Sequence, residues 1–334
     1  MSNSASSWTA NGSAGPASRR RRFRRMLTTP TGMQTMDGLR RRRALVFALN
    51  LATYAGLLYW LAAILGHGGW SLLDGVLLAA FAISTPWTVL GFWNAVIGFA
   101  LLHFHRNPMK SVAPFAVSPK VLAKGALQVR TAVVMTVRNE DPARAISRLK
   151  AVKRSLDQTS DGQTFGYFVL SDTDDPVVAR EEERLIAEWQ AMHEADGAAQ
   201  ISYRRRTDNK GFKAGTVRDF LENMADGYDL MLPLDADSLM TGDAVVRLAR
   251  IMQAYPRLGI LQSLVVGSPT GSAFARIFQF GMRHGMRTYT MGHAWWTGEC
   301  GPFWGHNAMV RIAPFRDHCH LPVLKGKPPL GGHV

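Results

Sequence analysis

The stretch Leu-Pro-Leu-Asp-Ala-Asp, residues 232–237, places two carboxylates one residue apart at the end of an apolar run. Such a run predicts a buried strand, and in an extended segment Asp235 and Asp237 point to the same side. In proteins Mg²⁺ is usually held by one or two carboxylates, while substrate phosphates and water fill its other positions. The pair therefore predicts a strand end where a divalent metal meets a diphosphate. The alternative is a solvated turn after a buried strand.

Around this stretch, short apolar runs alternate with helical patterns, which predicts βαβ units on a mostly parallel sheet. The expected extended segments are 131–137, 167–170, 201–203, 230–234 and 259–266. The expected helices are one that begins at Asp141-Pro142 and those at 176–195, 214–224 and 245–255. In open α/β sheets, ligands bind beyond the carboxyl ends of the strands. Since 136–140, 171–175 and 235–237 all fall at such ends, the sequence predicts that they converge on one crevice.

Two long apolar segments precede this region. Residues 44–65 and residues 77–102 contain no charged side chain. Each is long enough to cross a hydrocarbon core of about 30 Å as a helix. We interpret both as transmembrane helices. The alternative is a pair of buried helices in a soluble domain, but such helices seldom lack a charged face over this length.

Positive charge is concentrated ahead of the first apolar segment. The chain has a formal net charge of +14, and arginines at 19–22, 24, 25 and 40–43 face one acidic residue, Asp37, in that region. An arginine cluster next to a transmembrane helix is typical of a cytoplasmic flank. The alternative is a nucleic-acid-binding arm. We favour the cytoplasmic flank and expect no nucleic acid partner.

These patterns predict a multi-pass membrane protein with four parts. A disordered basic cytoplasmic leader (1–43) is followed by a transmembrane hairpin (44–104), a linker (105–129) and an α/β domain (130–334). Basic side chains after the second apolar segment indicate that the hairpin returns to the cytoplasm. The α/β domain is therefore expected in the cytoplasm.

Five short motifs follow one another in this domain. They are T-V-R-N-E (136–140), L-S-D-T (170–173), K-A-G (213–215), D-A-D (235–237) and G-H-N-A (305–308). In this order they resemble the signatures of the membrane-bound processive family 2 glycosyltransferases, which share the GT-A fold and include the cellulose synthases. The resemblance implies a GT-A domain with a Rossmann-like, mostly parallel sheet. His306 stands where that family has threonine.

The resemblance also implies roles for individual residues. The side implied to bind the nucleotide sugar comprises Thr136, Asn139, Glu140, Asp172, Lys213 and Gly215. The implied catalytic and metal-binding residues, which would hold Mg²⁺ or Mn²⁺, are Asp235 and Asp237. The implied acceptor side comprises Trp304, Gly305, His306 and Asn307.

Two other groups of residues are interpreted without the family. The three successive arginines 204–206 are typical of a solvated edge, and we leave them out of the site. Trp295, Trp296 and Trp304 suit a sugar-binding surface, although core packing or membrane anchoring would also explain them.

Strings such as W-G-H-N-A and P-F-R-D-H-C most closely resemble one branch of the family. That branch builds the β-1,2-linked glucan backbone of osmoregulated periplasmic glucans in the inner membrane of Gram-negative bacteria. The resemblance implies inverting transfer from UDP-glucose to a growing glucan, next to membrane lipid. Because the family continues past residues 331–334 into a segment that carries its general base, we expect this chain to be an amino-terminal portion. A cellulose-synthase-like enzyme and a non-catalytic UDP-sugar sensor stay open as alternatives.

Overall fold

Two long apolar helices open the structure, a computed structural model that describes residues 36–123, 125–194, 201–320, 323–324 and 332–333. Helix α1 is Met36–Gly66 and helix α2 is Leu72–Phe104, and both are long and apolar enough to cross a membrane. They extend the expected spans at both ends. The end of the leader, expected to be disordered, is helical from Met36, while residues 1–35 lie outside the described residues.

The two helices pack against each other as a hairpin. Trp93 Nε1 donates a hydrogen bond of 3.0 Å to Thr53 Oγ1, and the Tyr54 hydroxyl donates one of 3.0 Å to the carbonyl of Ala82. Polar contacts of this kind hold helices together where the surroundings are apolar. The hairpin therefore has specific contacts between its helices as well as apolar surface.

The remaining chain is built on a six-stranded sheet with strand order β3-β2-β1-β4-β6-β5. Its strands are β1 (Thr131–Val137), β2 (Phe165–Ser171), β3 (Ile201–Arg205), β4 (Leu230–Asp235), β5 (Ile260–Gln262) and β6 (Ala308–Arg311). The first four are mutually parallel, and β6 runs antiparallel to both of its neighbours. The predicted α/β fold with a mostly parallel sheet is confirmed. The expected extended segment 259–266 forms a strand only at its start.

Helices cover both faces of the sheet. Alternate residues of β1 point to opposite faces, so Val133 and Met135 enter one hydrophobic cluster and Ala132 and Val134 the other. The first cluster includes side chains from α5 (Pro142–Asp157), α6 (Pro176–Glu194) and α8 (Gly242–Ala254). The second includes side chains from α7 (Phe212–Asn223) and α10 (Ile312–His318). The helix begins where predicted, and Asp141 caps α5 by accepting a hydrogen bond of 3.1 Å from the backbone of Arg144.

The other elements are short, apart from one long helix. They are α3 (Pro108–Val112), α4 (Pro119–Leu122), α9 (Ala273–Thr297), single 3₁₀ turns at Pro114–Val117, Gly162–Thr164 and Gly298–Cys300, and the antiparallel pair β7 (Val323–Leu324) and β8 (Gly332–His333). Helix α9 joins the α/β layers to the apolar hairpin.

The backbones of α9 and α2 touch where glycines meet. A Cβ atom on Gly98 would lie 1.8 Å from the carbonyl oxygen of Thr288, and one on Gly292 would lie 1.9 Å from that of Asn94. Glycine at both positions permits this approach. Beside the crossing, Trp296 Nε1 donates a hydrogen bond of 2.9 Å to Asn94 Oδ1.

The basic start of α1 also contacts α9. Arg43 donates hydrogen bonds to the carbonyls of Trp296 and Thr297, and Arg42 donates to that of Trp295 and lies over its ring. Cations at a helix carboxyl end satisfy free carbonyls and interact favourably with the helix dipole. Trp295 and Trp296 therefore pack against the hairpin rather than forming the sugar-binding surface considered from the sequence.

Candidate functional site

The D-x-D pair begins on a strand and ends in a turn. Asp235 is the last residue of β4, while Ala236 and Asp237 form a turn closed by a 2.9 Å hydrogen bond from Ser238 N to the carbonyl of Asp235. The hydroxyl of Ser238 also accepts a 3.3 Å hydrogen bond from Asp235 N. The expectation that both carboxylates lie in one extended segment is therefore wrong for Asp237.

The two carboxylates differ in their partners. One oxygen of Asp235 is ion-paired with Lys213, and the other lies 3.7 Å from His306 Nε2. Asp237 is exposed, and its side chain makes no hydrogen bond or ion pair with any residue that the structure describes. One carboxylate is thus already compensated, and the other is free to bind a cation.

A cleft of about 540 Å³ opens beyond the carboxyl ends of β1, β2 and β4. This is the edge at which the sequence predicts a crevice. The predicted site residues that line the cleft are Thr136, Glu140, Asp172, Lys213, Asp235 and Asp237. The structure therefore brings together residues that are up to 101 positions apart in the chain.

Several cleft residues were missed in the sequence. Arg138, Arg144 and Arg148 add three cations to the lining beside Glu140 and Asp141, and Phe212 and Thr216 come from the start of α7. Arg148 Nη1 also donates a hydrogen bond of 3.1 Å to the carbonyl of Ala236, inside the D-x-D turn. A signal was present, because arginines four residues apart in a helix share a face, and this helix begins at the end of β1.

Asp172 is buried and already engaged. Arg206 donates two hydrogen bonds of 2.8 Å to its carboxylate, the hydroxyl of Thr216 donates a third, and Asn209 donates one of 2.8 Å to its backbone carbonyl. The hydrogen bonds with Asp172 raise the pKa of the Arg206 guanidinium above its ordinary value. The interpretation of arginines 204–206 as a solvated edge is therefore wrong for Arg206.

Asn139, in the loop after β1, and Gly215, in the first turn of α7, do not line the cleft. The side chain of Asn139 accepts hydrogen bonds of 3.2 Å from the backbones of Asp174 and Asp175, and thereby holds the loop after β2. Hydrogen bonds from Asn139 and then Arg138 keep the pKa of the Asp174 carboxyl below its ordinary value. A Cβ atom on Gly215 would lie 2.0 Å from the carbonyl oxygen of Lys210, so its close approach is to the protein's own backbone.

The predicted acceptor-side residues lie just before β6 and outside the cleft lining. Asn307 donates a backbone hydrogen bond of 2.8 Å to Pro233, and the backbone of Trp304 donates one of 3.0 Å to Gln262 Oε1. Gly305 takes a positive φ of 87° at the turn between them. His306 reaches the D-x-D turn, where its ring lies beside Asp235 and Ser238.

The carboxylate oxygens of the D-x-D pair suit a hard divalent cation that also binds the phosphates of a substrate. Within the described residues, no three His, Cys, Asp or Glu side chains gather into a set that could hold a metal. Asp235 and Asp237 instead offer two carboxylates in a cleft that three arginines and Lys213 also line. Mg²⁺ and Mn²⁺ prefer oxygen ligands, and Mg²⁺ commonly takes one or two from protein and the rest from phosphate and water.

Comparison with known proteins identifies chains of similar sequence. No protein-family model matches the chain. It is 38% identical over 311 residues to glucans biosynthesis glucosyltransferase H of Xanthomonas campestris pv. campestris (strain B100), an alignment covering 93% of this chain and 46% of that protein. The protein of the same name from Rhodopseudomonas palustris (strain TIE-1) is 35% identical over 309 residues, covering 92% of this chain and 41% of its own length.

A solved structure and the length of the relatives complete the comparison. The mannosyltransferase PcManGT from Pyrobaculum calidifontis, in complex with GDP-Man and Mn²⁺, aligns with a TM-score of 0.33 and 17% identity over 52% of this chain and 47% of that one. A TM-score this low does not establish a common fold. The chain spans about half the length of the curated relatives it matches. Over that span, it is a homologue of the glucans biosynthesis glucosyltransferases H.

Proposed function

We propose that this chain forms the donor-binding part of a membrane-bound, inverting glucosyltransferase that uses UDP-glucose to elongate a β-1,2-linked glucan. The observation that carries the proposal is the cleft, where Lys213 and the D-x-D carboxylates meet at the carboxyl end of a mostly parallel sheet. The homologous proteins named as glucosyltransferases support the reaction class. The resemblance to family 2 supports the donor and the GT-A assignment, and the resemblance to the branch that makes osmoregulated periplasmic glucans supports the linkage.

Four cationic side chains of the cleft support binding of a diphosphate. Arg138, Arg144, Arg148 and Lys213 line it together. Hydrogen bonds from guanidinium or ammonium groups to phosphate are about twice as strong as neutral ones. These side chains would bind the diphosphate and hold the glucose beside the D-x-D turn.

Asp172 would contact the nucleobase. An ionised carboxylate offers about four acceptor positions, and Arg206 and Thr216 occupy three of them. One position is left, which suits a single N–H donor such as that of uracil. Arg206 thus fixes the direction in which this last position points.

Asp237 and Asp235 would hold Mg²⁺ or Mn²⁺. When bound, such a cation supplies Lewis-acid neutralisation of the charge that develops on departing UDP. Among the described residues Asp237 has no partner whereas Asp235 is paired with Lys213, so we expect Asp237 to be the first protein ligand. Lys213, once released from Asp235, would be in reach of phosphate.

We also propose that α1 and α2 span the bacterial inner membrane and that the α/β layers lie in the cytoplasm. Both helices are long and apolar enough, and the arginines at 40–43 lie at one end of the hairpin. The positive-inside rule places such an end in the cytoplasm, where nucleotide sugars are found. The glucan acceptor and membrane lipid would be its other partners.

The test is calorimetric titration of the detergent-solubilised chain with UDP-glucose, with and without Mg²⁺, with UDP-galactose as competitor. We expect Mg²⁺-dependent binding that Asp237→Ala removes and that Asp243→Ala, at an exposed carboxylate outside the cleft lining, retains. Equal binding in the two variants would refute the metal assignment. Linkage analysis of a product separates β-1,2-glucan from a cellulose-like polymer. Binding without any transfer by this chain alone is expected of a donor-binding part as well as of a sensor, so it does not separate those two.

A further inference from the structure

The first half of α9 exposes a large apolar face. Phe274, Ile277 and Phe278 are 80%, 75% and 64% exposed. Their spacing of three and four residues places them on one side of the helix. Gly281 and Gly285 continue the same stripe, with open space beside both. A cluster of apolar side chains with this much exposure is typical of a surface that binds a membrane or another protein.

The opposite face of α9 carries three arginines beside one exposed phenylalanine, Phe280. Arg283 follows Phe274 by nine positions, which is two and a half turns at about 3.6 residues per turn, so it lies on the other side of the helix. Arg276 and Arg287 share its stripe, and all three are exposed. A phenylalanine-rich face opposite an arginine-rich one is the pattern of helices that lie in the plane of a membrane interface.

The apolar stripe is continuous with the contact between α9 and the hairpin. Gly292 follows Phe274 by eighteen positions, or about five whole turns, and so lies on the same side of the helix. There it touches the backbone of α2 at Asn94. One face of α9 therefore packs on the candidate membrane span α2 near its carboxyl end. The same face is exposed near its amino end.

The arginines of α1 fix the level of α9 relative to the membrane. Arg42 and Arg43 bind the carbonyls at its carboxyl end, and they directly precede the first apolar segment, which begins at Ala44. This end of α9 thus lies at the end of the hairpin where the bilayer would begin.

We propose that residues 273–287 lie in the cytoplasmic interface of the bilayer that α1 and α2 span, with Phe274, Ile277 and Phe278 among the acyl chains and the arginine stripe towards water and anionic headgroups. The inference rests on the proposed membrane placement. The proposal also gives the contact between α9 and the bilayer a role, because α9 leads through Gly298–Cys300 to His306 beside Asp235. Lipid would hold the acceptor-side segment at a fixed height above the membrane.

The experiment is spin-label accessibility on the full chain in bilayer nanodiscs that contain anionic lipid. The exposed Cys300 and Cys319 are first replaced by serine. A label is then placed in turn at Phe278→Cys, at Arg283→Cys on the opposite face, and at two reference positions. Tyr59→Cys on α1 reports lipid exposure, and Val177→Cys on α6 reports an exposed apolar position on the α/β layers.

We expect the label at Phe278→Cys to match Tyr59→Cys, with high collision rates with oxygen and loss of collisions with an aqueous nickel complex. The label at Arg283→Cys should match Val177→Cys and stay accessible to nickel. Nickel accessibility at Phe278→Cys equal to that at Val177→Cys would overturn the inference. Shielding from both reagents, or broadening that shows a second copy nearby, would also overturn it.

Reference labels and donor binding separate the possible failures. If Tyr59→Cys is accessible to nickel, then the membrane placement fails and this inference fails with it. If Tyr59→Cys is lipid-exposed but Phe278→Cys is not, only the inference fails. Titration of the same labelled chains with UDP-glucose tests the cleft independently, because none of the labelled positions lines it.

Discussion

Arg206 holds the carboxylate of Asp172 through two hydrogen bonds of 2.8 Å, and both side chains are largely buried. The pair links the end of β2 to the loop that leads into α7. The start of α7 carries Lys213, so this pair positions the lysine that binds Asp235. A contact between residues 34 positions apart thus supports the part of the cleft that the start of α7 forms.

Arg206→Ala should destabilise the chain strongly. It leaves a buried carboxylate without its counter-charge, a change that typically costs about 3–5 kcal/mol. Arg204→Ala is the matched control, because its ion pair with Asp219 is partly exposed and such pairs contribute about 0–1 kcal/mol. Denaturant unfolding of both variants in detergent gives the comparison. Similar losses in the two variants would contradict a structural role for the Arg206–Asp172 pair.

Asp161 should make stability depend on pH. Its carboxylate accepts hydrogen bonds from the backbone of Leu127 and from Arg250. Although burial favours the neutral form, these hydrogen bonds hold its pKa below the ordinary value of 3.8. The folded state therefore binds this proton more weakly than the unfolded state, and the stabilisation is present above pH 3.8 and is lost as the pH falls below it.

Asp161→Asn should accordingly cost about 1.5–3 kcal/mol of unfolding free energy at neutral pH, the contribution of a hydrogen bond to a charged group. The difference from the unmodified chain should shrink as the pH falls below 3.8. Unfolding curves at a series of pH values measure it. A difference that stays constant through this range would show that the charge of Asp161 is not the source.

Much of this architecture could be predicted because it depends on local patterns. Apolar runs mark β1 and β4, and Asp141 marks the start of α5, so the edge where the strands end follows from the sequence. The turn at Asp237 was not predicted, although its contacts are local: the backbone N–H of Ser238 closes it, and the Ser238 hydroxyl accepts a hydrogen bond from Asp235 N. The roles of Arg206 and Trp296 depend on partners 34 and 202 positions away. Adjacent residues carry no signal of such distant pairing.

Lys213→Ala should change two binding constants in opposite directions. Without a donor, removing the lysine frees Asp235, and Mn²⁺ alone should bind more tightly. With saturating Mg²⁺, UDP-glucose should bind about tenfold or more weakly, because a charged hydrogen bond of about 1.5–3 kcal/mol to phosphate is lost. Calorimetry measures both. Lys210→Ala, an exposed lysine paired with Asp208 in the same loop, should change neither.

Only tighter binding of Mn²⁺ together with weaker binding of UDP-glucose supports the proposed exchange of Lys213 between carboxylate and phosphate. If Mn²⁺ and UDP-glucose both bind more weakly to Lys213→Ala, then the lysine merely supports the fold of the site. If neither changes, the ion pair with Asp235 has no part in binding.

Phe212 should be a contact surface for the donor. It lines the cleft, is 59% exposed and has a φ of 45°, a region that bulky residues rarely occupy. Strained residues of this kind cluster at binding sites. Phe212→Gly removes the ring and the backbone strain together, so UDP-glucose binding should weaken by about 1–3 kcal/mol while thermal stability is kept. Phe212→Trp should retain binding, and equal affinity in all three chains would refute the assignment.

Two glycines of α9 should respond oppositely to the same substitution. At Gly292 a new Cβ atom would lie 1.9 Å from the carbonyl oxygen of Asn94, so alanine must force α9 and α2 apart. Overpacking of this kind costs about 1–3 kcal/mol. At Gly285 the space is open, and alanine should stabilise the helix by about 0.5–1 kcal/mol. Thermal unfolding of Gly292→Ala and Gly285→Ala in detergent measures the contrast. Should Gly292→Ala be as stable as Gly285→Ala, the hairpin and α9 do not meet through their backbones, and α9 could not transmit the position of the membrane to His306.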